Sequence, residues 1–318
     1  IENVLKLTIF LTIKEKQRMN QVATIDTANY EAMAKVMGMV GEQNSDKAKS
    51  TLARLRINHS AIMGTAEIKG KSMNLEVVGG GTYRLEVPDT DETYYASSIS
   101  IRPYMQRFMY KRFVKGRGTI KNMFVKTVMA DSLNIDLKDN TGGLNCGKPT
   151  GYIEDFKALP EDMQNLIRQI KRVRVIFGTV NLTNPTNANG DALNREMNEI
   201  PFIWEVDQRE AFKHVGEPFQ ALLKQRRLPV QYRIGCETDE RKLPNGNTYY
   251  VPNVNLDMTE VFPIGEDVQD TFRSFVDWVT NYNEYITSEW EDKHVNNLSS
   301  EDASLVEEFI TVDTSVEN

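Results

Sequence analysis

The sequence contains few of the residues that build disulfide frameworks and metal sites. Only two cysteines occur among its 318 residues, Cys146 and Cys236, and the three histidines, His59, His214 and His294, lie far apart along the chain. Two widely separated cysteines are typical of a protein from a reducing compartment. Neither the cysteines nor the histidines have the close spacing of a zinc site, so we expect no disulfide scaffold, no metal and no cofactor.

Long hydrophobic runs are also missing. The chain has no stretch of about eighteen consecutive uncharged apolar residues, so we expect no transmembrane helix. Hydrophobic residues make up 40% of the sequence and charged residues 26%, the composition of an ordinary soluble chain with a substantial core in one or two domains.

Catalytic motifs are scarce, with one partial match. Residues 142–149, GGLNCGKP, contain the G-x-x-x-x-G-K part of a phosphate-binding loop, with Gly142, Gly147 and Lys148 in the defining positions. The next residue is Pro149, which has no hydroxyl group for Mg²⁺ and no backbone N–H for a phosphate. An exposed connection is the favoured interpretation. We therefore predict that the protein is not an enzyme, with a nucleotide-binding enzyme as the less favoured alternative.

The start of the chain has features of a leader. Residues 1–18 precede the first methionine, Met19, and Lys14-Glu15 can be encoded by AAGGAG, a purine-rich ribosome-binding sequence. A signal peptide is disfavoured because the segment begins with acidic Glu2, has no basic start and ends without a small-residue cleavage site. We expect residues 1–18 to be an untranslated leader or disordered, and the source to be a bacterium or a phage.

Negative charge is concentrated at the C-terminal end. Residues 284–318 contain ten acidic residues and one lysine, a net charge of −9. Subtracting this from the −7 of the whole chain leaves +2 for residues 1–283. The last stretch, SSEDASLVEEFITVDTSVEN, has six acidic residues and no basic one, so we expect a disordered acidic tail at 291–318. Such a tail either keeps the protein soluble or competes for a basic groove and recruits basic partners.

Positive charge is concentrated in three segments of the body. Residues 101–130 contain no acidic residue and eight basic ones: Arg102, Arg107, Lys111, Arg112, Lys115, Arg117, Lys121 and Lys126. The second cluster consists of Arg168, Lys171, Arg172 and Arg174, and the third of Lys224, Arg226, Arg227 and Arg233. Basic patches on a body of nearly neutral charge are typical of a protein that binds a polyanion.

The first basic cluster overlaps a segment, residues 98–113, that fits two secondary structures. A strand would place on one face Ile99, Ile101, Pro103, Met105 and Met109, and on the other Arg102, Tyr104, Gln106, Phe108, Tyr110 and Arg112. A helix starting at Pro103 would instead gather the rings and methionines into an apolar stripe. We predict the strand, because short β-favouring runs precede it at 51–87. Such a strand could bind a ligand or simply pack under a helix.

The remaining patterns indicate a β-rich α+β chain. Strands are expected at 173–182 and 200–207, a hairpin around the Asn245-Gly246 turn, and a helix interrupted near Gly216. The predicted organisation is a helical segment at 19–50, a β-rich body at 51–265, an amphipathic helix at 266–290 and the tail at 291–318.

The basic and aromatic segment IRPYMQRFMYKRF, the multi-strand body and the acidic tail together resemble phage-type single-stranded-DNA-binding proteins. The resemblance implies an OB-fold-like antiparallel barrel with helical insertions and a long C-terminal helix. It implies that Tyr104, Phe108 and Tyr110 stack on bases. It also implies a set of basic residues at the nucleic acid backbone: Arg102, Arg107, Lys111, Arg112, Lys115, Arg117, Lys121, Arg172 and Arg174.

The expected function is therefore single-stranded DNA binding in phage or bacterial replication and recombination, in the cytoplasm of a bacterial or phage-infected cell. RNA is the alternative ligand, and a strand-annealing protein is a close variant. The tail would meet replication or recombination proteins, and assembly into an oligomer is compatible with this function. A virion structural protein is the alternative class, because it too would be β-rich and lack catalytic motifs.

Overall fold

The computed structural model describes residues 52–296, except for 69–70, 89, 91 and 117–120, and these residues belong to one unit, Ser50–Asn318. The expected leader at 1–18, the expected helical segment at 19–50 and residues 297–318 of the expected tail lie outside the described residues.

Strands dominate the described residues. They are β1 (Ala53–Ile57), β2 (Ile62–Ile68), β3 (Lys71–Val78), β4 (Tyr83–Val87), β5 (Glu92–Ala96), β6 (Ser98–Val114), β7 (Met123–Lys126), β8 (Ile170–Thr183), β9 (Met197–Val206), β10 (Arg233–Lys242) and β11 (Thr248–Asp257). The α-helices are α1 (Glu161–Gln169), α2 (Arg209–His214), α3 (Glu217–Lys224) and α4 (Glu266–Asn296). The predicted β-rich α+β class and the long C-terminal helix are confirmed.

Nine of the strands form one sheet in the order β11-β10-β6-β8-β9-β1-β4-β5, with β7 paired to β6. The pairs are antiparallel except for β1 and β9, which run parallel. Strands β2 and β3 form a separate hairpin. Strand β6, with 17 residues, is the centre of the arrangement, because it pairs with β8 along its length, with β10 near its start and with β7 near its end.

Both faces of the sheet are covered, because alternate residues of β8 enter two separate hydrophobic clusters. Ile176 and Val180 belong to the first, the inner cluster, which also contains Phe219 of α3. Val175 and Phe177 belong to the second, the helix cluster, which lies under α4. A strand that is buried on both faces reads as a continuous apolar run, which explains the sequence VRVIFG within β8.

Helix α4 packs on the sheet through apolar residues at helical spacing. Val268, Phe275, Val279 and Ile286 are each less than 10% exposed, and their spacing places them on one side of the helix. The helix was expected at 266–290 but continues to Asn296, so the first six residues of the expected tail are helical.

The extra turns of α4 are held by a loop that follows β7. The indole Nε1 of Trp290 donates to the carbonyl of Gly143 at 2.9 Å, and the Lys293 ammonium donates to the carbonyl of Asn140 at 2.8 Å. These contacts are between residues about 150 positions apart, so the sequence pattern of the tail alone could not indicate them.

The sheet curls around the inner cluster until its two end regions meet. The Tyr83 hydroxyl on β4 donates to the carbonyl of Glu237 on β10 at 2.9 Å, and the Thr238 hydroxyl donates to the carbonyl of Gly81 at 2.6 Å. These bonds are made by side chains, and no backbone ladder joins the two ends. The described strands therefore form an open sheet and no closed barrel, so the predicted OB-fold is not confirmed.

The segment at 98–113 is a strand, as predicted, but its two predicted faces are wrong. The pairing of β6 with β8 shifts between Pro103 and Met105, which reverses the alternation of side chains beyond this point. Ile99 and Ile101 therefore enter the inner cluster, whereas Met105 and Met109 enter the helix cluster. Phe108 and Tyr110, which follow the bulge, therefore do not share a face of the sheet with Arg102, which precedes it.

Gly178 of β8 lies opposite Pro103 at this bulge. A Cβ atom at Gly178 would lie 2.3 Å from the carbonyl oxygen of Arg102. We expect Gly178→Ala to lower the free energy of unfolding by about 1–3 kcal/mol, because backbone cannot yield as a side chain would. Urea unfolding measures this change. Gly235→Ala is the matched control, since its Cβ would meet only the Asn255 carbonyl at 3.8 Å, and equal unfolding midpoints of the two variants would contradict the prediction.

Candidate nucleic-acid interface

The residues predicted to bind nucleic acid are distributed over several surroundings. Arg102 is buried and donates to two carbonyls, from Nε to Val230 at 2.7 Å and from Nη2 to Pro263 at 3.0 Å. Arg107 forms an ion pair with Asp131 at 2.7 Å. Arg102 therefore holds the loops that precede β10 and α4, and the charge of Arg107 is neutralised by Asp131.

The two predicted tyrosines pack inside the protein. The Tyr104 ring contacts Phe275 of α4 edge-on, with 5.5 Å between ring centroids. Tyr110 is only 5% exposed, and its hydroxyl donates to the carbonyl of Leu133 at 3.2 Å. Tyr110 is buried, and the half-buried Tyr104 packs against α4, so neither tyrosine belongs to the candidate site.

Four more of the predicted cations lie at the β6–β7 hairpin. Lys111 and Arg112 are on β6 and half-buried, while Lys115 and Lys121 are exposed in the connection between β6 and β7. Arg117 lies outside the described residues.

The remaining three predicted residues, Phe108, Arg172 and Arg174, come together. Phe108 lies directly opposite Arg174 in the β6–β8 ladder, and Arg172 lies two positions further along the same face of β8. Phe212 of α2 joins them, with 6.1 Å between its ring centroid and that of Phe108. We call these four residues the Arg–Phe cluster.

Guanidinium groups stack on both rings of the Arg–Phe cluster. The Arg174 guanidinium carbon is 5.0 Å from the Phe108 ring centroid and 4.6 Å from that of Phe212, and the Arg172 carbon is 5.5 Å from the Phe212 centroid. Cations at these distances are attracted by the ring quadrupole. The result is a group of rings and cations in contact with one another where β6, β8 and α2 meet, on interior strands of the sheet.

Arg174 is the fixed member of the cluster. It is buried, donates to the side-chain oxygen of Gln106, and donates from Nε to the carbonyl of Phe212 at 3.3 Å. Gly216 leaves room for it, because a Cβ there would lie 2.4 Å from Arg174 Nη2. Burial lowers the pKa of Arg174 to about 10, so the group remains cationic at neutral pH. Arg174 therefore holds α2 against β6 and β8.

Helix α2 adds two exposed cations to the cluster because its other side is committed to the core. Ala211 enters the inner cluster, so Arg209 and Lys213, two residues away on either side, point away from it and are exposed. Phe212 is half-buried between these groups and the sheet. The short sequence QREAFKH, basic and aromatic together, is the signal in the sequence for these residues, which were predicted to be helical but not to bind a ligand.

The Arg–Phe cluster opens into a cavity of about 690 Å³. Four cations line it, Arg172, Arg174, Arg209 and Lys213, together with Phe212, two glutamines and two glutamates. One of these glutamates, Glu210, is taken up by other groups: it accepts from Arg241 Nε at 3.2 Å and from the Tyr249 hydroxyl at 3.4 Å. The cavity is therefore positively charged, and its size is in the range of small-molecule sites.

In the loop that resembles a phosphate-binding loop, residues 142–149, backbone N–H groups are already hydrogen-bonded to the carboxylate of Asp139. Asp139 is 1% exposed and accepts from the backbone N–H groups of Thr141, Gly143 and Cys146 at 2.9, 3.2 and 3.0 Å. A phosphate-binding loop needs such amides free to point at a phosphate. Here they surround a buried anion of the protein, and the loop packs under α4.

No helix in the described part of the chain has the length and apolar character needed to cross a bilayer. Within the same residues, no group of three or more His, Cys, Asp or Glu side chains is placed to hold a metal ion. Among the described residues, the Arg–Phe cluster brings three of the predicted binding residues, Phe108, Arg172 and Arg174, together with Phe212 beside an open, positively charged cavity.

Comparison with known proteins gave no match to this chain among family models, curated proteins or solved structures.

Proposed function

We propose that the protein binds single-stranded nucleic acid, DNA in the first instance, at the cavity of the Arg–Phe cluster. The observation that carries the proposal is the contact of Arg172 and Arg174 with the Phe212 ring at the wall of an open, positively charged cavity. Unpaired bases stack on aromatic rings and on guanidinium planes, and phosphates pair with cations.

The dimensions of the cavity favour a single strand over a duplex. A volume of about 690 Å³ is in the range that holds one small ligand, so it fits one extruded or unpaired nucleotide. Phe212 and the Arg172 guanidinium that lies against its ring line the wall and offer a flat surface to the base, while the positive charges of Arg172, Arg209 and Lys213 face neighbouring phosphates. Paired bases in a duplex hide their faces, so a duplex cannot make the same stack.

The cellular role that we propose follows from the resemblance to phage-type single-stranded-DNA-binding proteins. The protein would act in phage or bacterial replication and recombination, in the cytoplasm, with the acidic residues near the C-terminus recruiting other replication or recombination proteins. The curled sheet would correspond to an OB-type barrel whose closure is made by side chains. We also propose that the protein is not an enzyme.

The first test is fluorescence anisotropy of a labelled oligo-dT titrated with the protein over a range of salt concentrations. If Arg172, Arg209 and Lys213 each neutralise one phosphate, the plot of log affinity against log salt should have a slope of about −2. An unlabelled duplex of equal length should compete poorly. Absence of binding at low salt, or equal competition by the duplex, would remove the proposal.

A second candidate function, assembly into a virion structure, is favoured by the β2–β3 hairpin. This hairpin forms no ladder with the main sheet, and Met63, Met73 and Leu75 on it are 58%, 48% and 39% exposed. Exposed apolar residues on a hairpin are typical of a contact between protein copies. Light scattering and electron microscopy of the purified protein would show rings or shells if this function is correct, together with little salt-sensitive DNA binding.

A further inference from the structure

The opposite face of the sheet carries a second concentration of rings and cations, on the paired strands of the β6–β7 hairpin. Side chains alternate along β6, so Lys111 and Phe113 point away from the face that carries Phe108. In the ladder with β7, Lys111 lies directly opposite Lys126, and Phe113 lies directly opposite Phe124. We call Lys111, Phe113, Phe124 and Lys126, together with Arg54 of β1, the hairpin face.

The two phenylalanines of the hairpin face are paired across the strands, but about half of each side chain is exposed to solvent. Phe113 is 46% exposed and Phe124 is 49% exposed, with 5.1 Å between their ring centroids. The Lys111 ammonium lies 5.0 Å from the Phe124 ring centroid. The two rings therefore stabilise each other along one edge and leave their other sides available for a flat ligand.

The charges of the hairpin face do not balance. Lys111 and Lys126 share a single carboxylate, Glu205, at 2.8 and 3.4 Å. Arg54 is exposed on β1 directly opposite Ile203 of β9, and Glu205 lies two residues further along the same face of β9. Burial lowers the pKa of Lys126, Glu205 opposes this effect, and the charges of Lys111 and Arg54 add to it. Two lysines thus share one carboxylate, with exposed Arg54 on the same face of the sheet, and an anionic ligand would be attracted there.

We propose that the hairpin face is a second site for single-stranded nucleic acid, so that one protein molecule holds two strand segments at once. This inference rests on the proposed function, because it assigns the same class of ligand to a separate surface. Rings and phosphate-binding cations lie on both faces of β6, and the sheet separates the two sets. A protein with this arrangement brings two strands together, which is the step that strand annealing requires.

Bridging of two strands can be measured with non-complementary oligonucleotides. Two oligo-dT strands of about 12 nucleotides, one with a donor dye and one with an acceptor, cannot pair with each other, and each is short enough to occupy one site. Energy transfer between them should appear when the protein is added and should disappear when excess protein separates the strands. The anisotropy of either strand alone reports binding to the protein, whether or not a second strand is held at the same time.

The test variant is Phe113→Ala with Phe124→Ala. Loss of two stacking rings should reduce energy transfer at least tenfold, whereas anisotropy binding should change less than about threefold, because the Arg–Phe cluster is intact. Tyr152→Ala is the matched control, since this ring is 90% exposed and belongs to neither site. Arg54→Glu is a second variant at an exposed position, where a folding defect is not expected, and it should also reduce energy transfer.

The outcomes separate the two proposals. If oligo-dT does not bind at all, the proposed function fails. If oligo-dT binds but two strands are never bridged, only the second site fails. Energy transfer that persists in both the double-alanine and the Arg54→Glu variants would also overturn the second site, because bridging would then come from association of protein copies.

Discussion

Changing Phe212 and Arg172 together to alanine is expected to weaken oligo-dT binding by about 100-fold at low salt. The ring contributes about 1–3 kcal/mol through stacking on a base, and the arginine contributes both a cation for phosphate and a planar group beside the ring. Arg172 is exposed and Phe212 is half-buried, so neither change removes a core residue. The backbone carbonyl of Phe212 that accepts from Arg174 is retained in the variant.

The control for this experiment removes an aromatic ring and an arginine elsewhere. Tyr152 is 90% exposed, and the side chain of Arg273 is 72% exposed on α4, so Tyr152→Ala with Arg273→Ala matches the loss of ring and charge without touching the cavity. Circular dichroism and thermal unfolding check that both variants remain folded. Equal affinities of the test and control variants would place the binding site away from the Arg–Phe cluster.

Changing Phe275 to alanine is expected to lower the free energy of unfolding by about 3–5 kcal/mol. Phe275 is fully buried, and its ring lies 5.5 Å from Tyr104 and 5.9 Å from Phe177, centroid to centroid. It is the residue through which α4 enters the helix cluster most deeply. A loss of this size is a large share of the roughly 5–15 kcal/mol by which domains are stable.

Phe272→Ala is the matched control for this prediction. It lies on the same helix one turn earlier and is 42% exposed, so its loss should cost less than about 1 kcal/mol. Urea unfolding followed by tryptophan fluorescence measures both variants. If the two midpoints shifted equally, the packing of the buried face of α4 would not be the source of its contribution to stability, and the prediction would be wrong.

The strand at 98–113 shows what periodicity can and cannot predict. The β-favouring runs that precede it and its content of Tyr, Phe and Ile favoured a strand, and the structure has β6 at Ser98–Val114. The division of its side chains between two faces could not be predicted, because one irregularity between Pro103 and Met105 reverses the order for all residues that follow. The bulge is allowed by Gly178 on another strand, 75 positions away from Pro103 in the sequence.

The candidate site shows that the sequence also predicts only part of the charge distribution: it identifies segments rich in lysine and arginine but not their partners. Arg102 donates to two carbonyls of distant loops, and Arg107 pairs with Asp131, just outside the basic segment. Phe212 enters the site from a helix that the sequence associates with no binding role. Three of the twelve predicted residues, Phe108, Arg172 and Arg174, meet in the Arg–Phe cluster, because β6 and β8 are neighbours in the sheet.

The sequence by itself determined the β-rich class, the strand at 98–113, the long C-terminal helix and the concentration of positive charge in the body. These properties depend on local patterns of apolar, aromatic and charged residues, which neighbouring positions specify. Only the tertiary structure decided which rings are buried, which cations are already paired and which of them share an open cavity. Those outcomes depend on contacts between strands and helices far apart in the chain, and burial and pairing are properties of such contacts.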